Sequence, residues 1–233
     1  MQTKLPKISE KRIALHVSRV AERAIRSGHP WLFENAILKQ SHQGKMGDLA
    51  VIFNKDRKFL GIGLFDPESI IRVRILRALK PATINQQFFE EKLRTAHQHR
   101  ALLCDSDHTN GYRMVHGEND GMPGIVIDRY AETAVIKLYT PAWIPHLNDV
   151  VAALKNIFPF ERIVLRLSGN LKENKYNLFD GMILDGKMLI DPIIFLENGL
   201  KFEADPQKGQ KTGFFLDQRE NRARVEELAK GKS

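Results

Sequence analysis

Alternating apolar and polar positions dominate the first third of the chain and predict short β-strands. The strands are expected over residues 13–20, 48–54, 58–66 and 69–76, with turns at residues 54–57 and 66–68. One or two helical turns are predicted over Ala21–Ser27, because Gly28 follows as a stop. Strands at this spacing indicate a small β-barrel or sandwich over residues 10–80.

Two details of these strands carry expectations of their own. The alternation in Ile71–Ile75 places Arg72 and Arg74 on one side of a strand, which we expect to face solvent. Gly61 and Gly63 lie inside a strand pattern, which favours a β-bulge over a nucleotide-binding loop.

Helical periodicity enters after a boundary predicted at Lys80–Ala82. Thr83 and Gln86 have the spacing of a capping box and open a helix expected to run to about Cys104. The later elements are two strands around a glycine-rich turn, a third strand, a helix and a fourth strand, expected over residues 113–130, 133–139, 145–158 and 162–168. Residues 84–195 are therefore predicted to form an α+β domain.

The last stretch, residues 196–233, begins a third unit and ends in a charged helix over residues 221–233. Gly231 is a helix stop, and the sequence ends two residues later, so we expect this third unit to be incomplete. The predicted fold class is α+β, with a small β-barrel over 1–80, an α+β domain over 84–195 and the start of another domain.

Charge is distributed unevenly between these units. Residues 1–80 hold 16 Lys and Arg against 7 Asp and Glu, whereas residues 81–233 hold 20 against 21. The first unit therefore carries a net charge of +9 and the remaining residues −1, which sum to +8. A compact cationic unit beside a neutral one is typical of a protein that docks on phosphates, so this pattern favours nucleic-acid binding.

Several classes of protein are excluded by composition. No apolar run reaches the roughly 18–20 residues that a bilayer-crossing helix needs, and the N-terminus has no apolar core of a secretory signal. The single cysteine, Cys104, rules out an internal disulfide framework, and the acids after it disfavour a thiolate, so it is interpreted as a packing residue. These features fit a reducing cytoplasm.

The segment 27–33 is the first candidate for chemistry. His29 and Trp31 follow a glycine turn beside Arg26, so that rings and a cation could meet a nucleotide by stacking and phosphate contact. The alternative, which we favour, places Trp31 in the core of the small domain. Arg23 and Arg26 share one helix face and are stronger candidates for phosphate contact.

Three acids in residues 117–130, Glu118, Asp120 and Asp128, suggest a metal site or a metal-dependent hydrolase. No histidine cluster completes a ligand set, and Gly117, Gly121 and Gly124 are explained by the positive φ of a tight hairpin, so a structural role is favoured. Residues 211–221 combine polar and aromatic side chains, and Asp217 fits a helix N-cap as well as a functional group.

Three ordered motifs resemble the bacterial large-subunit ribosomal-RNA cytosine-C5 methyltransferase family over essentially the whole chain. They are Arg26–Phe33, Gly117–Tyr130 and Lys211–Arg222. The resemblance implies an RNA-binding PUA domain over 1–80, an EEHEE-type α+β domain over 84–195, and then the start of a Rossmann-like domain that binds S-adenosylmethionine. The family's glycine-bearing cofactor loop, Asp-Pro-Pro segment and catalytic cysteine have no counterpart in the chain.

Charge and position in the first unit indicate which residues bind RNA, and the resemblance implies which residues line the cofactor pocket. The expected RNA-binding residues are Arg23, Arg26, His29, Trp31, Arg72 and Arg74, and no catalytic or metal-binding residue is expected in these 233 residues. The expected lining of the S-adenosylmethionine pocket is Lys211, Thr212, Gly213, Phe214, Asp217, Gln218, Arg219 and Arg222.

The implied function is the docking and orientation of ribosomal RNA, in a chain that by itself transfers no methyl group. In the whole enzyme a thiolate would add to C6 of cytosine and make C5 nucleophilic toward the methyl group. The alternative is a freestanding RNA-binding adaptor without enzymatic activity, and assembly as a homodimer stays open.

Overall fold

The computed structural model describes residues 9–104, 106–171 and 177–231, without the side chains of Cys104 and Asn170. The interpretation of Cys104 as a packing residue therefore lies outside the described residues. The elements of the first unit are β1 Ile13–Val17, α1 Arg19–Arg26, β2 Trp31–Phe33, β3 Ile37–Gln40, β4 Leu49–Phe53, β5 Phe59–Phe65 and β6 Ile71–Ala78.

These strands form one curled sheet in the order β2-β6-β5-β4-β1-β3. All neighbours are antiparallel except β1 and β4, which are parallel. The helix α1 begins after Ser18, whose hydroxyl accepts a hydrogen bond from the backbone N–H of Ala21, and Ile25 packs into the sheet's own core. The register of β5 and β6 shifts between Ile62 and Gly63, which confirms the predicted bulge.

The second unit has helices on one face of a five-stranded sheet. Its elements are α2 Gln86–Gln98, α3 Ala101–Cys104, β7 Gly111–His116, β8 Ile125–Tyr130, β9 Thr133–Leu138, α4 Leu147–Ile157, β10 Arg162–Leu167 and β11 Met182–Gly186. The strand order in the sheet is β11-β10-β9-β8-β7. The helix α4 connects the parallel strands β9 and β10, and α2 and α4 bury Phe89, Leu93, Val150 and Leu154 against the sheet. The α+β fold class is confirmed.

The other face of this sheet is covered along only part of its length. A hairpin, β12 Ile193–Glu197 and β13 Leu200–Ala204, packs Phe195 on Tyr130, Val135 and Val164. The helix α5, Arg219–Ala229, follows and buries none of its residues. Among the described residues, no helix is long and apolar enough to cross a bilayer.

The two sheets share one core and several polar contacts. Leu49, Ile62 and Leu64 of the first sheet pack in the same cluster as Trp143 of the second unit. The Nε2–H of His146 donates to the carbonyl of Gly47 at 2.7 Å, and the Thr140 hydroxyl donates to Asp66 Oδ2 at 2.9 Å. The seam between the sheets is therefore packed and held by hydrogen bonds.

The predicted helix over 83–104 is wrong at both ends. The side chain of Asn85, and not that of Thr83, caps α2 by accepting from the N–H of Phe88 at 3.0 Å. The helix stops at Gln98, and only the short α3 follows. An asparagine directly before the apolar run was the better capping candidate, because asparagine caps as well as serine or threonine.

Candidate functional site

A cleft of about 340 Å³ opens where the two sheets meet. Its walls come from both units: Trp31 and Arg74, which are cross-strand partners on β2 and β6, face Arg113, His116, Glu118 and Tyr139 of the second sheet. We call this space the junction cleft. Aromatic, cationic and acidic side chains line it together.

Trp31 lies at this seam and is only half-buried. Its indole N–H donates to Oε1 of Glu118 at 2.9 Å, which ties the first sheet to the second across 87 positions of sequence. Its backbone N–H donates to Nδ1 of His29 at 3.2 Å. The interpretation of Trp31 as a core residue is wrong, because the ring lines the junction cleft and takes no part in the core of the first sheet.

The prediction that Arg72 and Arg74 face solvent is also wrong. Arg74 is 8% exposed, and its guanidinium lies 3.5 Å from Oδ2 of Asp66, so burial lowers the pKa of Arg74 and the carboxylate opposes that shift. Arg72 pairs with Glu34 at 2.8 Å and donates to the carbonyls of Asp66 and Pro67. Both arginines share a side as expected, but that side is folded against the Asp66 turn and the second unit.

A buried acid holds the cation on the opposite wall. Arg113 donates to both oxygens of Asp128, at 2.8 and 3.1 Å, and Asp128 is fully buried. The Thr212 hydroxyl donates to Asp128 Oδ2 at 2.6 Å and lies 2.9 Å from the hydroxyl of Tyr130. Burial alone would lower the pKa of Arg113, but the hydrogen bonds and charge of Asp128 outweigh it, and the pKa is raised.

The glycine-rich segment between β7 and β8 forms a tight turn, which we call the acidic turn, Gly117–Gly121. Gly117, Gly121 and Gly124 have φ values of +49°, +66° and +82°, which confirms the predicted need for glycine. Asp120 accepts from Arg100 at 2.7 Å and from the N–H of His116 at 2.6 Å.

Among the described residues, no group of three His, Cys, Asp or Glu side chains is placed to hold a metal ion. The acids of the turn instead accept hydrogen bonds from Trp31, Arg100 and the backbone.

The remaining RNA candidates, Arg23, Arg26 and His29, do not line the junction cleft. Arg23 is exposed on α1, and Arg26 pairs with Glu22 at 3.0 Å one helical turn away. Hydrogen bonds from Asn54 and Arg26 lower the pKa of Glu22. Local sequence patterns do not predict that Arg113, Glu118 and Tyr139 line one cleft with Trp31, because only the tertiary fold brings positions so far apart together.

The segment Lys211–Arg222 divides into an inward and an outward set of side chains. Thr212 is 1% exposed, and Phe214 packs with Phe195 and Phe202 beneath Arg222, whose guanidinium lies 4.5 Å from the Phe214 ring centroid. Arg222 also donates to both oxygens of the buried Glu197 at 2.7 Å.

The outward set contains Lys211, Asp217 and Gln218. The Lys211 ammonium donates to both Asp217 oxygens at 2.8 Å, which lowers the pKa of Asp217, and it lies 4.5 Å from the Phe215 ring centroid. The N-cap interpretation of Asp217 is wrong: Gln218 occupies that position, without a side-chain capping bond. Arg219 donates to Thr109 at 3.3 Å and to Asn198.

Comparison with known proteins finds a family match for the first unit and relatives that are longer than this chain. Residues 15–78 match the family described as PUA-like domain. A ribosomal RNA large subunit methyltransferase of Deinococcus radiodurans is 44% identical over 97% of this chain and 57% of its own length. Ribosomal RNA large subunit methyltransferase I of Pseudoalteromonas translucida is 33% identical over 94% of this chain and 56% of its length.

Solved structures share the fold. One, described as a SAM-dependent methyltransferase from Streptococcus mutans, superposes with a TM-score of 0.76 at 21% identity, over 94% of this chain and 54% of that chain. Another, of a methyltransferase complexed with SAH, gives a TM-score of 0.76 at 20% identity over 92% and 53% of the two chains. The chain thus spans about half the length of the curated relatives and solved structures that it matches.

Proposed function

We propose that this chain, which is related to the ribosomal RNA large subunit methyltransferases and carries a PUA-like domain, docks and orients ribosomal RNA for S-adenosylmethionine-dependent methylation of cytosine C5. The observation that carries the proposal is the junction cleft, where Trp31 and Tyr139, from different sheets, line one space with Glu118. Stacking on aromatic rings together with a hydrogen-bonding edge suits an unstacked nucleobase.

The charges of the junction cleft favour a base over a phosphate. Arg74 and Arg113 already face the buried carboxylates Asp66 and Asp128. Glu118 adds a negative charge, and among the described residues the one hydrogen bond of its carboxylate is the bond that Oε1 accepts from Trp31. A phosphate would meet compensated cations and a carboxylate, whereas the amino group of a base can donate to that carboxylate.

Phosphate contacts are assigned to the exposed cations of the first unit. Arg23 and Arg26 lie on one face of α1, and His29 joins that helix to Trp31. Arg72 and Arg74 are assigned a different task from the RNA contact expected of them. Arg74, paired with Asp66, forms the wall of the cleft beside Trp31, and Arg72 is held by Glu34. RNA would then lie across the seam, with its backbone over α1.

S-adenosylmethionine would supply the methyl group on its sulfonium, and Lys211–Arg222 are proposed to form one side of its site. The exposed Lys211, Asp217 and Gln218 and the backbone at Gly213 are available for contact. Thr212, Phe214 and Arg222 are engaged inward and would hold this segment in place rather than touch the cofactor. Arg219 fits both roles. Its Nη2 donates to Thr109 and Asn198 and so helps to hold the segment, whereas its Nη1 has no hydrogen-bond partner in the described part of the chain and is left for the cofactor.

Binding of RNA and transfer of the methyl group are tested separately. We expect Arg23→Glu and Arg26→Glu to weaken binding of many RNA sequences and to flatten its dependence on salt, in filter-binding titrations from low to moderate ionic strength. Unchanged binding by both variants would show that RNA uses another face.

For methyl transfer, the 233-residue chain is incubated with methyl-labelled S-adenosylmethionine and ribosomal RNA. No incorporation is expected, since these residues correspond to only 57% of the Deinococcus relative and contain none of the expected catalytic groups. Clear incorporation would contradict the assignment of docking alone to these residues.

A further inference from the structure

A second, larger space lies on the other side of the acidic turn. It measures about 640 Å³, and the residues that matter for its chemistry are Arg77, Lys92, Arg94, His99, Asp120 and Gly121. A neighbouring space of about 320 Å³ shares Arg77 and the acid Glu91 with it and adds Lys80. We call the two together the cationic groove.

Two cations of the groove lie against one aromatic ring. The guanidinium carbon of Arg77 is 5.4 Å from the Phe88 ring centroid, and the ammonium of Lys92 is 5.7 Å from it. The ring stabilises each cation modestly, but two like charges beside one ring repel each other. Because the Phe88 ring carries no net charge, the positive charges of Arg77 and Lys92 remain in the groove.

Neighbouring acids compensate these cations poorly. Glu91 is 3.8 Å from Arg77 with 62% of its side chain exposed, and Asp120 is bound through both its oxygens to Arg100. In the described part of the chain, Lys92 has no hydrogen bond or ion pair, and Nε of Arg77 is buried without an acceptor. An anion would satisfy the unmet Nε–H of Arg77 and the charge of Lys92 together, which makes this partly buried, positive groove a suitable anion site.

The position of Lys92 is set by the acidic turn. A Cβ atom on Gly121 would come within 2.4 Å of the Lys92 ammonium, so glycine leaves the space that this ammonium occupies. Burial and the charge of Arg77 lower the pKa of Lys92, and the charges of Asp120 and Glu91 oppose this shift without reversing it. A charge held under these conditions is maintained at a cost in stability, which is typical of a binding group.

We propose that the cationic groove binds a phosphate of the RNA backbone through Lys92 and Arg77. This inference rests on the RNA-docking function proposed above. The groove and the junction cleft lie on opposite sides of the same five-residue turn, so one strand of RNA can place a base on one side and a backbone phosphate on the other. Arg94 and Lys80 extend the positive surface along the groove.

The salt dependence of RNA binding tests the groove. Lys92→Met keeps the length and apolar stem of the side chain and removes the charge. With an unstructured single-stranded RNA of mixed sequence, loss of one phosphate contact reduces the slope of log K against log salt by about 0.7, which is roughly fivefold in affinity at 0.1 M salt. The matched control is Lys187→Met, an exposed lysine directly after the edge strand β11, which should leave the slope unchanged.

Inorganic pyrophosphate provides a second readout that does not need RNA. It should raise the melting temperature of the wild type and of Lys187→Met, but not that of Lys92→Met, whose own melting temperature should be no lower than that of the wild type. An unchanged salt slope together with equal stabilisation of all three proteins would overturn the groove while leaving RNA docking intact. Absence of any RNA binding by the wild type would instead contradict the docking function.

Discussion

The two surfaces beside the acidic turn contain similar residue types but differ in how their charges are compensated. In the junction cleft, Arg74 and Arg113 each face a buried carboxylate. In the cationic groove, Lys92 has no ion-pair partner among the described residues, and Arg77 faces only the exposed Glu91. This difference is the reason why we propose a neutral base for the cleft and a charged phosphate for the groove.

Arg74 and Arg77 make the comparison within a single strand. Both lie on β6, three residues apart, yet Arg74 is held by Asp66 in the seam, whereas Arg77 opens into the groove with an unmet Nε–H. Arginine in a basic segment is therefore not by itself a phosphate contact. The nearest acid and its burial decide the role.

The largest expected effect comes from breaking the compensated pair in the cleft. Asp128→Ala leaves Arg113 partly buried without its acceptor and removes the acceptor of Thr212, so the free energy of unfolding should fall by about 3–5 kcal/mol in urea denaturation. Asp217→Ala, which breaks the exposed pair with Lys211, should cost less than about 1 kcal/mol. Equal losses for both would remove the structural role given to the cleft's acid.

Replacing a glycine should destabilise the protein more in the cleft than in the groove. Alanine at Gly124, with φ of +82°, would meet Thr140 Cγ2 at 2.9 Å and Arg74 Nε at 3.0 Å, so we expect a loss of about 1–3 kcal/mol. Alanine at Gly121 meets the mobile end of Lys92 and should cost about 1 kcal/mol, mostly from its φ of +66°. Thermal unfolding of both variants measures the difference, and a larger loss for Gly121→Ala would contradict it.

Stacking in the cleft should be separable from charge in the groove. Trp31→Ala should weaken binding of single-stranded RNA by about 1–3 kcal/mol without changing the salt slope, because it removes a ring and no charge. Trp31→Phe keeps a stacking surface but loses the hydrogen bond to Glu118, so its affinity for RNA should lie between those of the wild type and Trp31→Ala. A change in slope for Trp31→Ala would mean that the cleft also binds phosphate.

A smaller effect concerns pH and the seam that holds the two surfaces in place. Burial lowers the pKa of His146 below its ordinary 6.5, so the unfolded chain binds a proton that the folded chain does not. This contribution to stability is complete above about pH 6.5 and is lost as pH falls through that value, by at most about 1.4 kcal/mol per pH unit.

Urea denaturation between pH 7.5 and 5.5 measures the effect of His146. His146→Gln can still donate to Gly47 and should lose part of the pH dependence. His29→Gln, at an exposed position, should retain it. Identical profiles for the two variants would contradict the assignment.

Local rules predicted the local features of this fold. The bulge at Gly63 and the positive φ of Gly117 and Gly121 follow from the steric freedom of glycine, and the main strands follow from alternation. The short strands β2 and β3 and the hairpin β12–β13 were not predicted, because strands of only three to five residues are specified mainly by the strands and helices that they contact.

The candidate site was predicted less completely, for a physical reason. Alternation along β6 places Arg74 on one face but does not say whether another unit covers that face. The second sheet does cover it, which turns a predicted surface arginine into a buried one and brings Glu118 to Trp31. The phosphate candidates Arg77 and Lys92 were missed, because their lack of compensation is visible only in three dimensions.

The most direct test of the account is photocrosslinking of the wild-type protein to a single-stranded RNA that carries 4-thiouracil, with the adducts located by mass spectrometry. We predict adducts on Trp31 or Tyr139, the two rings of the junction cleft. Adducts found only on residues away from the cleft, in a complex that forms with full affinity, would contradict the claim that the seam between the two sheets receives the base.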